Sequence, residues 1–211
     1  MKDGILMFFG DKNDFAIEYG FEDHTADGDD SVYGYMGIWI EGQDICMYDG
    51  EYKFKGNLYL IVEWFCEKIE YILGYDAFPL PVKGDTILEL IENAEEYDSE
   101  DDLEFDLWFS GNSRWIFNHF WLSVREGNVM PGIYFRRLEN KIEIAWDNIF
   151  WEKYNIVFNS RRDFCLVSLD VFITNFTDFL YSILDELSQR VNDYRKKEVE
   201  CMRKKIRILK K

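Results

Sequence analysis

The chain has 211 residues, of which 47% are hydrophobic and 18% aromatic, so it can bury a folded core and is not a disordered polymer. Its formal net charge of −17 is unevenly distributed: residues 1–110 hold 28 acidic and 6 basic side chains, whereas residues 111–211 hold 13 and 18. An acidic field of this size repels nucleic-acid backbones and anionic membranes and speeds encounter with a basic partner, so direct nucleic-acid binding by the first half is disfavoured.

Hydropathy and cysteine usage indicate a cytoplasmic protein. No stretch approaches the roughly 18 to 20 consecutive apolar residues that a bilayer span requires, and the apolar run near the N-terminus is too short for a secretory signal. The four cysteines form no CxxC pair. We therefore expect reduced thiols rather than disulfides or a zinc site.

The first 73 residues predict a sheet followed by a helix. Residues 15–19, 35–40 and 45–48 alternate like strands, and the last two are expected to form a hairpin around residues 41–44, which indicates an antiparallel sheet. Residues Leu58–Leu73 then place apolar side chains at helical spacing.

Residues 74–85 contain two prolines and two glycines and are the best candidate linker. We expect a single unit, 1–211, with a possible subdivision into 1–78 and 85–211 at this stretch. A short helix is predicted over 86–97, followed by an acidic run at 98–102. Leu103, Phe105, Leu107 and Phe109 alternate with polar residues and with Trp108, and they predict a strand with one apolar face.

The second half predicts a short aromatic helix over 113–125 and a hairpin of 133–138 with 141–146. A strand over 165–172 and a long helix over about 175–207 follow, and the basic end of that helix is expected to project into solvent. The fold class is therefore α+β, with antiparallel sheets packed by helices and a long C-terminal helix.

Candidate chemistry is sparse. His24 and His119 are the two histidines, and there is no nucleophile, phosphate-loop or dinucleotide motif. Asp27, Asp29 and Asp30 form either a solvated turn or a loop of oxygen ligands for a divalent cation. His119 with Asp147 or Glu143 would make an acid–base pair, but no matching nucleophile or oxyanion site accompanies it.

The densest collection of Arg, Trp and His lies between residues 114 and 148. Arg and Trp dominate binding hot spots, so one hypothesis is a recognition surface. In the alternative, the tryptophans fill a core and Arg136 or Arg137 pairs with Glu143 across the hairpin. The sequence leaves both open. The basic residues near the C-terminus similarly predict either a solvated helix end or a contact with nucleic acid or an acidic neighbour, including a second copy.

Residues 115–148 resemble a segment found in uncharacterised bacterial proteins from defence and toxin-linked loci. The whole chain, small, acidic and without catalytic motifs, is similar to immunity proteins that neutralise polymorphic toxins and to accessory subunits of defence systems. The resemblance implies an exposed acidic face that covers a basic partner, and the basic C-terminal helix departs from that pattern. The resembling positions are Trp115, His119, Gly127, Pro131, Arg136, Arg137, Trp146 and Asp147.

Together these observations predict a non-enzymatic protein of the immunity or inhibitor type, whose acidic first half covers a basic toxin or nuclease. Alternatives are an accessory subunit of a bacterial anti-phage defence complex, docking through the Arg/Trp hairpin and the C-terminal helix, and a hydrolase using His119 and nearby carboxylates. No cofactor or metal is expected. The predicted partner-binding residues are Asp27, Asp29, Asp30, Asp98, Glu100, Asp101, Asp102, Trp115, His119, Arg136, Arg137, Trp146 and Asp147.

Overall fold

The computed structural model describes residues 6–22, 32–97, 99, 101–121 and 129–210. The fold class is confirmed as α+β, with two antiparallel sheets and helices packed against them. Among the residues singled out in the sequence, His24, Asp27, Asp29, Asp30, Asp98, Glu100 and Gly127 lie outside the described residues.

The first sheet contains β1 (Met7–Gly10), β2 (Phe15–Phe21), β3 (Tyr33–Ile40), β4 (Gln43–Asp44) and β5 (Lys55–Asn57). Its order is β1-β2-β3-β4, and β5 also pairs with β3. The central strand β2 is buried along its whole length, with alternate residues from Phe15 to Phe21 in the main core.

The predicted hairpin forms, but its second strand lies two residues earlier than expected. Glu41 and Gly42 form the turn, both with positive φ (51° and 86°), and β3 pairs with Gln43–Asp44 rather than with residues 45–48. The Ile45 amide still donates to the Ile38 carbonyl of β3 (2.9 Å), but the next amide, that of Cys46, donates to Asp44 Oδ1 (3.0 Å) instead. Asp44 is almost fully buried, and its Oδ2 has no hydrogen-bond partner among the described residues.

Two helices follow close to their predicted positions. α1 (Leu58–Leu73) has the predicted bounds, and Asn57 caps it by accepting from the Leu60 amide. α2 (Ile87–Glu95) begins after a capping box, in which the Thr86 side chain accepts from the Glu89 amide and the Glu89 carboxylate accepts from the Thr86 amide.

The predicted strand at residues 103–109 is wrong. These residues are the first half of α3 (Asp102–His119), which also contains the beginning of the aromatic helix predicted from residue 113. Asp101 caps the helix by accepting from the amides of Leu103 and Glu104.

The second sheet has the order β6-β7-β8 and contains β6 (Ile133–Leu138), β7 (Lys141–Asp147) and β8 (Arg162–Ser168). The hairpin with its two-residue loop at Glu139 and Asn140 is confirmed. A 3-10 helix (Ile149–Tyr154) precedes β8. The last strand begins three residues earlier than expected and ends at Ser168, where a helix starts.

The long C-terminal helix is confirmed, but it is not one continuous helix over residues 175–207. It is divided into α4 (Leu169–Arg190) and α5 (Asp193–Lys205), with a 3-10 turn (Ile206–Lys210) after it. The break occurs at Val191, which is extended, and Asn192 caps α5 by accepting from the Arg195 amide. Consequently, the basic segment does not project into solvent but folds back onto α1 and α4.

The contacts of α5 are both apolar and electrostatic. Val199, Met202 and Ile206 are buried in the main core. On the sides of α5, Arg203 pairs with Asp185 of α4 (2.5 Å) and Lys205 with Glu67 of α1 (3.6 Å). The basic end therefore neutralises acidic side chains of its own chain.

The main core joins both sheets with α1, α4 and α5, and it contains residues from both sides of the Pro/Gly-rich stretch. A smaller cluster on the opposite face of the second sheet contains Ile87, Leu88, Trp115 and Ala145, so α2 and α3 cover that face. None of the helices in the described part of the chain is both long and apolar enough to cross a membrane. Cys46 and Cys66 are buried, Cys165 is half-buried and Cys201 is exposed, all as free thiols.

Candidate functional site

Among the described helices, α3 exposes the most large apolar side chains, and most of them lie in its first half. Leu103 is 75% exposed, Leu107 70%, Phe109 63% and Phe105 47%. Four such side chains within seven residues form an apolar patch, and patches of this kind on a folded surface mark interaction sites.

Carboxylates are interleaved with these apolar residues. Asp101, Asp102, Glu104 and Asp106 fall within residues 101–110, and no basic residue does. Asp102 and Asp106 are one turn apart and point away from the side of α3 on which Trp115, Asn118 and His119 are buried. This outward line of two carboxylates is called the acidic ridge below.

The apolar side chains lie on both sides of the acidic ridge. At roughly 100° per residue, Phe105 and Phe109 share one flank and Leu103 and Leu107 share the other. The set Asp102, Leu103, Phe105, Asp106, Leu107 and Phe109 is called the α3 face. It presents negative charge in the middle and apolar surface on either side.

The beginning of α3 is held in place by local hydrogen bonds. Besides the Asp101 cap, the Ser99 hydroxyl donates to Glu104 Oε2 (2.7 Å) and accepts from the Asp101 amide (3.2 Å). Carboxylates in the first turn also interact favourably with the positive end of the helix dipole. The exposed turns are therefore preformed in the free protein.

Anchors on the inward side of α3 fix the orientation of its exposed side. Trp108 Nε1 donates to the Ala94 carbonyl at the end of α2 (2.9 Å), and the Phe105 and Phe109 rings lie 5.1 and 6.2 Å from the Trp108 ring. One helical turn before the end of α3, Trp115 Nε1 donates to the Asp76 carbonyl (3.3 Å).

Near its end, α3 is attached to α1. The buried Lys68 Nζ donates to Asn118 Oδ1 (3.0 Å) and lies 4.0 Å from the centroid of the Phe117 ring. Burial lowers the pKa of Lys68.

His119 is fully buried at the end of α3 and contributes to packing. Its ring stacks on Trp115 at 4.1 Å, Nδ1 lies 2.7 Å from the Phe135 carbonyl, and Nε2 lies 3.3 Å from Asp76 Oδ2. Burial lowers the pKa of His119, against the opposing effect of these hydrogen bonds. The carboxylate beside His119 is thus Asp76 rather than Asp147 or Glu143, the acid–base partners considered from the sequence.

A buried ion pair holds the start of α2 against the second sheet. Arg136 donates to Glu143 Oε2 through Nε (2.8 Å) and also through Nη2, and its Nη2 donates to the Asp85 carbonyl (3.1 Å). Glu143 Oε1 accepts from the Ile87 amide (2.7 Å). Burial raises the pKa of Glu143, whereas the Ile87 amide and Arg136 oppose that rise. The pairing of Arg136 with Glu143 is one of the two interpretations that the sequence left open.

The remaining residues of the Arg/Trp segment stabilise turns and helix ends. Arg137 donates to the Leu73 and Glu139 carbonyls, and the buried Trp146 donates to Ser160 Oγ (2.9 Å). Asp147 accepts from the Ile149 amide and lies 3.5 Å from Arg162 Nε. The segment therefore surrounds and supports α2 and α3, with Trp115, His119, Arg136 and Trp146 inside the protein.

Few of the partner-binding residues predicted from the sequence belong to the α3 face. Of the described acidic ones, Asp102 belongs to the α3 face, Asp101 caps the helix directly before it, and Asp147 lies at the end of β7. The four apolar residues of that face fit a strand pattern in the sequence, and that pattern does not identify them as surface residues. The sequence did contain a signal for the helix, because Asp101 followed three positions later by Glu104 matches the pattern of a helix start.

Apart from the α3 face, the first sheet carries a cleft of about 470 Å³ lined mainly by Tyr35, Tyr48, Tyr52, Lys53 and Lys55. The two lysines form ion pairs with Glu18 and Glu22, respectively. Throughout the described ranges, no group of three or more His, Cys, Asp or Glu side chains is placed to hold a metal ion.

Comparison with protein-family models, with curated proteins and with solved structures returned no match for this chain.

Proposed function

We propose that this protein is a non-enzymatic binding protein of the inhibitor or immunity type, which covers a basic surface of another protein with its α3 face. The observation that carries the proposal is the combination, on one preformed helix, of four exposed apolar side chains with interleaved carboxylates and no basic residue among them. Apolar anchors supply most of the affinity of a protein interface, and complementary charge supplies rate and specificity.

The charge of the chain supports a basic partner. The excess of acidic residues lies in the first 110 positions, and the basic residues Arg203 and Lys205 are already paired within the chain. The carboxylates of the α3 face are at the exposed start of a helix, where a lysine or arginine of a partner has free access. Nucleic acid and anionic membranes would be repelled by the same carboxylates.

The test begins with site-specific photo-crosslinking in the native cell. A photoreactive amino acid at Leu107 should form a crosslink to a partner that the same group at Tyr194, equally exposed on α5, does not form. The recovered partner is then purified, and its binding to the full chain is measured by calorimetry at low and high salt.

A basic partner whose affinity falls when Asp102 and Asp106 are both changed to lysine would support the proposal. Unchanged binding of that variant at low salt would reject it. An assembly of several proteins that resists high salt and is crosslinked equally at both positions would instead indicate an accessory subunit.

A further inference from the structure

We infer that the site on the partner is a groove with a basic floor and apolar walls, into which the exposed turns of α3 insert as a helical ligand. This inference rests on the proposed function and specifies the shape and chemistry of the partner's site. The acidic ridge would contact the floor, and the two apolar flanks would contact opposite walls.

The distribution of side chains around α3 distinguishes a groove from a flat surface. A helix that lies on a flat partner buries one stripe and leaves the sides free, so apolar residues would be expected at the centre of the exposed side. In this protein the centre holds Asp102 and Asp106, whereas apolar residues lie on both flanks. Simultaneous burial of both flanks requires a partner that surrounds the helix on two sides.

The pairs on each flank have the spacing of helical anchors. Phe105 with Phe109 and Leu103 with Leu107 are each separated by four residues and so lie on adjacent turns of one side. Helices bound in hydrophobic grooves are held by side chains at such spacings. Because Trp108 fixes the phenylalanine flank and Asp101 caps the helix, little conformational entropy is lost when α3 is bound.

A second copy of the chain does not fit this description. Two α3 faces brought together would place carboxylates of one ridge against those of the other, and like charges at an interface are unfavourable. The occupant that matches the α3 face carries lysine or arginine between apolar side chains.

Three double variants of the full chain separate the parts of the face. Phe105→Ala with Phe109→Ala removes one flank, Leu103→Ala with Leu107→Ala removes the other, and Asp102→Asn with Asp106→Asn neutralises the ridge. Alanine preserves the helix and each residue is exposed, so far-UV circular dichroism should match that of the unmodified protein. The urea midpoint should fall only slightly, where Phe105 and Phe109 lose their contact with Trp108 and where Asp102 loses its charge in the first turn. Tyr194→Ala, at an exposed position on α5, is the control.

Binding to the purified partner is followed by stopped-flow and surface-plasmon measurements at several salt concentrations. We expect each apolar pair to weaken affinity at least tenfold through faster dissociation, with an unchanged salt dependence. The ridge variant should associate more slowly and show a smaller salt dependence. The control should bind like the unmodified protein.

The outcomes separate the inference from the proposed function. If one apolar pair is neutral while the other pair and the ridge matter, the partner contacts one side only, so the groove is rejected and the proposed function stands. If all three variants bind normally, the α3 face is not the binding surface and both are rejected. The inference would also be rejected if the free chain forms a dimer and each of the two apolar double variants abolishes it. The occupant of the α3 face would then be a second copy.

Discussion

Neutralising Asp44 should stabilise the protein, and the effect should depend on pH. Asp44→Asn keeps the oxygen that accepts from the Cys46 amide and replaces the buried Oδ2, which has no hydrogen-bond partner among the described residues, by an uncharged group. Burial raises the pKa of Asp44 to about 6; the hydrogen bond from the Cys46 amide opposes that rise, and the nearby charge of Glu18 adds to it.

The size of the effect follows from the pKa of Asp44. Because the pKa of this carboxyl rises from 3.8 to about 6 on folding, its ionisation costs about 3 kcal/mol of folding free energy at neutral pH. Because the folded state binds the proton more tightly than the unfolded state, this loss develops as pH rises from 3.8 through 6 and is complete above 6. At pH 5 the loss should be about half of its value at neutral pH.

Urea unfolding of both proteins between pH 4.5 and pH 8 measures this difference. The stability advantage of Asp44→Asn should be largest above pH 7 and should shrink steadily below pH 6. The dependence of the unfolding free energy on urea concentration should be the same for both proteins. Asp178→Asn, which removes an exposed carboxylate from α4, is the control and should not reproduce that pH dependence. Parallel stability curves for the unmodified protein and Asp44→Asn would show that the reasoning about burial is wrong.

Three further changes test other parts of the structure, each by urea unfolding. Glu143→Gln should cost about 3–5 kcal/mol because it leaves Arg136 buried without its carboxylate, whereas the double change of both residues to Met should recover most of that loss; equal losses would contradict this. Because burial lowers the pKa of His119, the free energy of unfolding should fall as pH drops below 6.5. His119→Gln should not show this fall, and identical pH profiles of the two proteins would contradict the prediction. Asp101→Ala should cost about 1 kcal/mol by removing the α3 cap, and an unchanged urea midpoint would contradict that role.

The sequence predicts those elements whose local signals agree with their packing. The spacing of apolar residues in α1 and the two-residue loop between β6 and β7 act over short distances, and both were confirmed. The fold class follows from the same signals. In these segments the residues that favour an element locally are also the ones that it buries.

The sequence fails at α3 because an alternating pattern usually indicates one buried face of a strand. Leu103, Phe105, Leu107 and Phe109 satisfy that pattern, but they remain exposed, and the segment is helical because it is capped by Asp101 and anchored through Trp108. The apolar residues that matter most for the candidate site are therefore the ones that a core-based interpretation misassigns. The acidic residues Asp101 and Asp102, in contrast, could be selected from charge alone.

Distant contacts explain why the last third of the chain was harder to predict. The break between α4 and α5 contains neither Gly nor Pro, and α5 packs against α1 through side chains far away in sequence. Likewise, Arg136 and Glu143 were recognised as a possible pair, but their role in holding the start of α2 depends on the Ile87 amide, which only the folded chain brings there.

The packing of α4 on the first sheet joins segments that are translated far apart in time. Tyr19 shares its hydroxyl with Ser182 and Glu186, at 2.9 and 3.0 Å, and Asn175 donates to the Phe15 carbonyl. More than 150 residues separate these partners, so β2 is translated long before the helix that covers it. At 5 to about 20 residues per second, the ribosome would present the bare aromatic strand for roughly ten seconds or longer, the interval in which a chaperone would matter most to this chain.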